Sequence, residues 1–253
     1  MKNILKFIIA LCTLSLQVKK LNAQNLDFPG IAASLSFSAI LNENFNLNIL
    51  ATAKFRSGEH NIDKAKYNAQ VLEIYSQALL SYKINSKWLI GGGYGFQRNN
   101  PFLDNWRNEH RLVEQLMFII PGRKLKFYNR FRFEERWFSF PASPNTFGTR
   151  ARYQAGIIRQ LKSNMVYWQL NEEMYGITSG PRNAFISENW IYTGIGFPVK
   201  YIGQIETGIG INSSVRNNNH ELTNLFLVQL AWSYITPRKM MKTMHPVMQS
   251  RNF

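Results

Sequence analysis

The chain has 253 residues, of which 14% are aromatic and only 18% charged, with a formal net charge of +15. Its mean hydropathy is −0.25 and its one long apolar run lies at the N-terminus, which excludes a helical membrane protein, since each span needs about 20 consecutive apolar residues. The balance is also unusual for a soluble enzyme. It fits a transmembrane barrel, where every second residue is apolar and the average stays polar.

Lys2 and Lys6 precede an apolar stretch from Phe7 to Val18, and Leu21-Asn22-Ala23-Gln24 offers a cleavage site with a small residue. This reads as an export signal ending at Ala23 or Gln24. About twelve apolar residues are too few to cross a bilayer core of roughly 30 Å. Cys12, the sole cysteine, lies inside this segment and follows Leu11, where a lipid-modified cysteine needs a small residue. The exported chain is therefore expected to carry no thiol chemistry. Loss of the segment removes four lysines and no acids, which takes the charge from +15 to +11. Outside the cell such a charge points to outer-membrane lipid and lipopolysaccharide, small anionic solutes or another outer-membrane protein, and away from nucleic acid.

From residue 31 onward apolar and polar residues alternate. Ile31, Ala33, Leu35, Phe37 and Ala39 share one face, as do Leu47, Ile49, Ala51, Ala53 and Phe55, and then Leu72, Ile74, Ala78, Leu80 and Tyr82. Period two is the strand signature, and no stretch after residue 24 sustains a helical period. Eleven segments follow this rhythm: 31–42, 45–57, 70–84, 88–99, 107–120, 124–140, 146–160, 165–178, 186–198, 202–214 and 222–235. Tight turns such as Asn42-Glu-Asn44 and Ile84-Asn-Ser-Lys87 alternate with longer polar connections at 58–69, 99–106, 140–147, 178–187 and 214–222. That asymmetry is characteristic of outer-membrane barrels.

The expected fold class is all-β: an antiparallel up-and-down transmembrane β-barrel of about 10–12 strands. It comprises a signal peptide at 1–24, a barrel at 25–235 and a basic periplasmic tail at 236–253. Single-chain bacterial barrels normally have an even strand number and both termini in the periplasm. Eleven segments therefore imply ten strands if 31–42 is not a full wall strand, or twelve if one near residue 25 is added.

The polar faces of the middle segments concentrate charge. Arg130, Arg132, Glu134 and Arg136 alternate with Phe131, Phe133 and Trp137, while Arg150 and Arg152 alternate with Ala151 and Tyr153. An Arg or Lys facing lipid near mid-bilayer costs about 2–4 kcal/mol, so these faces are expected to turn inward. Glu109, Arg111, Arg130, Arg132, Glu134, Arg136, Arg150, Arg152, Glu173 and Glu206 then form a lumenal network. Such a network can be structural, with Arg–Glu pairs filling the lumen. It can also be an arginine-lined conduit or site for anionic solutes. The six tryptophans (Trp88, Trp106, Trp137, Trp168, Trp190 and Trp232) fall near segment ends, where interfacial girdles form, with Trp168 deeper.

No catalytic, cofactor or metal signature emerges, and the chain is not expected to be an enzyme. The doublets Glu134-Glu135 and Glu172-Glu173 point to opposite faces of a strand and cannot converge. Glu135 and Glu172 then face outward, which calls for a position near the rim or a bulge. His60, His110, His220 and His245 lack metal-ligand spacing. A membrane-embedded hydrolase would need His110 beside a serine. The runs Gly91-Gly-Gly-Tyr-Gly95, Gly194-Ile-Gly196 and Gly208-Ile-Gly210 lie within strands, match no phosphate loop, and suit tight curvature or space inside the wall.

Asn108-Glu-His-Arg111 with Glu114-Gln115, then Arg130-Phe-Arg-Phe-Glu-Glu-Arg136, Arg150-Ala-Arg-Tyr153 and Asn171-Glu172-Glu173, resemble the signature of a domain-of-unknown-function family of exported Bacteroidetes proteins. The resemblance spans the exported chain to about Tyr234. It implies a small outer-membrane barrel and brings no activity, ligand or catalytic residue. Members often have a tryptophan near the mature N-terminus, where this chain has Phe28-Pro-Gly30. The leading expectation is a structural component or narrow channel with an Arg/Glu-lined lumen. The alternative is an interaction subunit of a larger outer-membrane or secretion assembly.

Overall fold

The computed structural model describes residues 26–62, 65–161, 166–180, 186–199, 202–215 and 222–236. The expected signal peptide, with Cys12, and the tail beyond Thr236, with His245, lie outside the described residues, as does His220. Among the described residues there are thirteen strands: β1 (Leu26–Ile40), β2 (Phe45–Arg56), β3 (His60–Ile62), β4 (Ala65–Tyr67), β5 (Gln70–Lys83), β6 (Trp88–Asn99), β7 (Arg107–Ile120), β8 (Leu125–Ser139), β9 (Thr146–Gln160), β10 (Tyr167–Ser179), β11 (Glu188–Val199), β12 (Gly203–Val215) and β13 (Leu222–Ile235). Eleven of them close a single barrel in sequence order, and β3 and β4 form a small separate hairpin.

The wall has neither ten nor twelve strands. Up-and-down order reverses direction at every strand, so an odd number leaves the first and last pointing the same way. Closure then requires a parallel seam, and β1 pairs β13 in parallel from Leu26↔Thr223 to Ser38↔Ile235. Every other wall pairing is antiparallel. The two ends of the wall consequently lie at opposite mouths: Leu26 at the end carrying the long connections, Ile235 at the end carrying the short turns. A common mouth for both is ruled out by the same parity.

The first strand is a full member of the wall and begins five residues before the alternation at Ile31. In Leu26–Gly30 the pattern is inverted: Leu26 and Phe28 are buried while Asp27 and Pro29 are exposed. Leu26, Phe28 and Ala32 pack inside the barrel against Leu225 and Leu227 of β13. Outside, Asn224 Nδ2 donates to Asp27 Oδ1 at 2.7 Å.

At the short-turn end, two turns use the same device. The side-chain oxygen of Asn42 accepts the backbone N–H of Asn44 (2.9 Å) and Phe45 (2.8 Å). Asn85 does the same for Lys87 (2.8 Å) and Trp88 (3.0 Å). An Asn side chain imitating a backbone carbonyl fixes such turns locally, and thereby fixes strand register.

Large apolar side chains cover the outer wall: Leu35, Phe131, Ile209 and Leu230 are all more than half exposed. The expected lumenal residues turn inward: Glu109, Arg111, Arg130, Arg132, Glu134, Arg150, Arg152, Glu173 and Glu206 are buried and Arg136 is half-buried. Glu172 departs from the expected rim position, since it faces outward in the middle of β10, where Asn189 Nδ2 donates to it at 2.9 Å. Glu114 is likewise outward and exposed in the middle of β7.

Candidate functional site: the lumen

Two different fillings divide the lumen. In the short-turn half, space is made by glycine and taken by tyrosine. Tyr128 lies directly opposite Gly156, and Tyr167 opposite Gly196. A Cβ on Gly156 would fall 2.3 Å from the Tyr128 ring, and one on Gly196 would fall 2.0 Å from that of Tyr167. Tyr192 folds over Gly194 in the same way. Gly156, Gly194 and Gly196 thus serve as slots for aromatic rings.

The slots aim hydroxyls at one carboxylate. Tyr167 donates to Glu206 Oε2 at 2.5 Å, Tyr192 donates to Oε1 at 3.0 Å, and the amide of Gln169 also donates to Oε1. Glu206, expected within the arginine network, is held in this separate tyrosine and glutamine group. Met117, Ile119 and Ile158 pack with Tyr128 and Tyr167 to close the remaining space.

Above this filling lies the arginine network, built on β7 to β10. Each of three fully buried or nearly buried carboxylates is shared. Glu109 accepts a two-pronged bond from Arg136 (Nε to Oε1 2.5 Å, Nη2 to Oε2 3.0 Å) and a further one from Arg111. Glu134 accepts Arg150 Nε at 2.8 Å and Arg152 Nη1 at 2.7 Å. Glu173 accepts Arg152 Nε at 3.0 Å, Arg130 Nη2 at 3.2 Å and the Tyr175 hydroxyl at 3.1 Å.

Register explains why carboxylates are needed here. Arg111 stands directly opposite Arg136, and Arg132 opposite Arg152. Like charges so placed repel; Glu109 bonds both members of the first pair, and Glu134 and Glu173 bond Arg152 of the second. Arg132 differs from the rest. It is 3% exposed and bonds only amide oxygens, Gln115 Oε1 at 3.2 Å and Gln77 Oε1 at 3.4 Å. Guanidinium groups also lie over aromatic faces, Arg150 and Arg152 over Tyr175 and Arg111 over Tyr75.

The long-connection half is open. A cavity of about 1120 Å³ runs from the arginine network to that mouth. Its floor includes Leu50, Arg152 and Tyr175, one wall carries Arg107, Arg111, Arg136 and Arg150, and the other Lys54, Glu73 and Glu188. Lys54 bridges Glu73 at 3.1 Å and Glu188 at 3.8 Å and lies over the Trp190 ring. Trp190, expected in a girdle, turns inward because its parity on β11 matches that of Glu188 and Tyr192. The β3–β4 hairpin folds over the seam side of this mouth, where Phe28 contacts the rings of Tyr67 (5.1 Å) and His60 (5.5 Å).

Several residues of this site were not singled out in the sequence. Arg107 shares the parity of Glu109, and Tyr175 that of Glu173, so a parity rule extended to strand ends would have found both. Lys54 with Glu73 and Glu188 needed the register between strands. His110 faces outward, where it meets the Tyr94 hydroxyl and the Phe96 ring. Among the described residues no cluster could hold a metal ion.

A closed eleven-stranded barrel with a charge-packed lumen and an open cup at one mouth is therefore the class this chain represents. Residues 33–223 match the family model described as Protein of unknown function (DUF2490), and the chain belongs to that family. No curated protein and no solved structure matches it.

Proposed function

We propose that the chain is an outer-membrane β-barrel whose lumen is sealed at mid-wall, so that it works as a structural and binding component rather than as a channel. The apolar outer wall supports the location. A contiguous apolar surface of this size is foreign to soluble monomers, and wall strands of 12 to 15 residues are long enough to cross a bilayer at a barrel's tilt. Glu114 and Glu172 run against the outward pattern. The cost of an outward Glu is smaller than that of Arg or Lys, and Asn189 offsets part of it at Glu172.

One observation carries the sealed reading. Glu109, Glu134, Arg130 and Gln169 are each no more than 1% exposed, so the side chains that would line a conduit are packed on one another. An arginine-lined pore conducts only when its charges face water. Purified barrel in planar bilayers is expected to give no conductance steps at any voltage; sustained steps from the folded, heat-modifiable band would overturn the sealed lumen.

A further inference from the structure

The cup at the long-connection mouth has the composition of a binding site, and its chemistry selects a ligand class. Of the six arginines of the network, Arg111, Arg130, Arg136, Arg150 and Arg152 share three carboxylates, Glu109, Glu134 and Glu173. Arg132 rests on amide oxygens alone. Across the cup, the Glu73–Lys54–Glu188 group is balanced within itself to one charge, so the surplus of positive charge lies on the β7–β9 wall. Positive charge held in a low-dielectric cavity calls for a counter-anion.

The same wall is apolar towards the mouth. Arg107 and Arg136 flank the Phe138 ring at 5.5 and 4.7 Å, and Phe140 and Ile177 also line the cavity. Arg107 donates to Asn99 Oδ1 at 3.1 Å, which holds its guanidinium at the rim.

We propose that the cup binds a small amphipathic anion, with a carboxylate or phosphate head on the Arg107–Arg136 wall and an apolar body against Phe138, Phe140 and Ile177. A cavity of about 1120 Å³ is slightly larger than most small-molecule sites. Its opening at the mouth, among strand ends such as Thr146, Ser179 and Thr223, admits a dissolved ligand rather than one still anchored in the bilayer. The assignment rests on the reading of this half as a blind cup.

The test is calorimetric titration of the full exported chain in lipid nanodiscs, using hexyl phosphate, hexanoate, inorganic phosphate, hexanol and hexylammonium. Hexyl phosphate should bind about tenfold or more tightly than inorganic phosphate, since burial of about two methylenes suffices for that factor. Hexanol and hexylammonium should bind at least as weakly as inorganic phosphate. Arg107→Gln should weaken hexyl phosphate by about tenfold, the loss of one charge-assisted bond. Equal binding of hexyl phosphate and hexylammonium by the unaltered protein overturns the assignment, whether or not the variant folds. So does equal binding of hexyl phosphate and inorganic phosphate. Barrels that are electrically silent yet fail this selectivity overturn the ligand class alone; barrels that conduct overturn the sealed lumen.

Discussion

Replacing Glu134 by glutamine should lower the stability of the folded barrel by about 3–5 kcal/mol, the cost of removing one partner from a buried ion pair. Glu134 is fully buried and is the acceptor for both Arg150, at 2.8 Å, and Arg152, at 2.7 Å. Glutamine keeps the shape and one oxygen for one arginine, but removes the charge and turns an N–H₂ group towards the other guanidinium. Arg152 retains Glu173, whereas Arg150 is left with the Tyr175 ring. The effect should show in urea titrations of barrel in lipid vesicles, followed by the gel shift between folded and heated forms. Glu114→Gln is the matched control, because its carboxylate is exposed on the outer wall, and it should change stability little. Equal midpoints for Glu134→Gln and the unaltered chain would mean that the network does not hold the wall together.

Gly196→Ala should be nearly as damaging, although it adds a single methyl group. The new Cβ would lie 2.0 Å from Tyr167 Cζ and 2.1 Å from its hydroxyl. Tyr167 is 2% exposed and cannot swing away without losing its bond to Glu206. Overpacking of this kind costs about 1–3 kcal/mol, and a hydrogen bond to a charged group adds roughly 1.5–3 kcal/mol. In a Tyr167→Ala background the same glycine substitution should cost almost nothing. A double-mutant cycle with no coupling between the two positions would show that the glycine is there for backbone reasons and that the ring slot is incidental.

The wall was legible almost residue by residue where one face meets water-free packing and the other an apolar exterior. The segments 88–99, 107–120 and 146–160 coincide with β6, β7 and β9. Legibility failed where that contrast inverts. Leu26 and Phe28 are buried against the seam and Asp27 and Pro29 are outside, so the start of β1 shows alternation of the opposite sense and was passed over. The strand number was also in plain view. Eleven segments were eleven strands, and the preference for an even count gave way to a parallel seam that no property of a single strand announces.

The inward set of charges followed from parity alone, because a one-residue step exchanges the two faces of a strand. How those charges are shared did not follow. That Arg111 faces Arg136 and Arg132 faces Arg152 is a matter of register between strands. The glycine slots were anticipated only as space within the wall. Which tyrosine fills which slot depends on pairings such as Tyr167↔Gly196, between residues 29 positions apart in sequence. Trp190 was misplaced for a related reason: its nearness to a strand end suggested the rim, while its parity placed it in the cup.

The central claim is a membrane wall with apolar residues outside, packed polar residues inside, and β1 as a full member. Nitroxide labels on single cysteines from Ala33 to Ser38, in a Cys12→Ser chain reconstituted in lipid, test it most directly. Ala33, Leu35 and Phe37 should show high collision rates with oxygen, which concentrates in lipid. Ser34, Ser36 and Ser38, which are 5% exposed or less, should show low rates with oxygen and with a water-soluble nickel complex alike. Absence of this alternation, or nickel reaching Ala33, Leu35 and Phe37 as readily as oxygen does, would contradict the account.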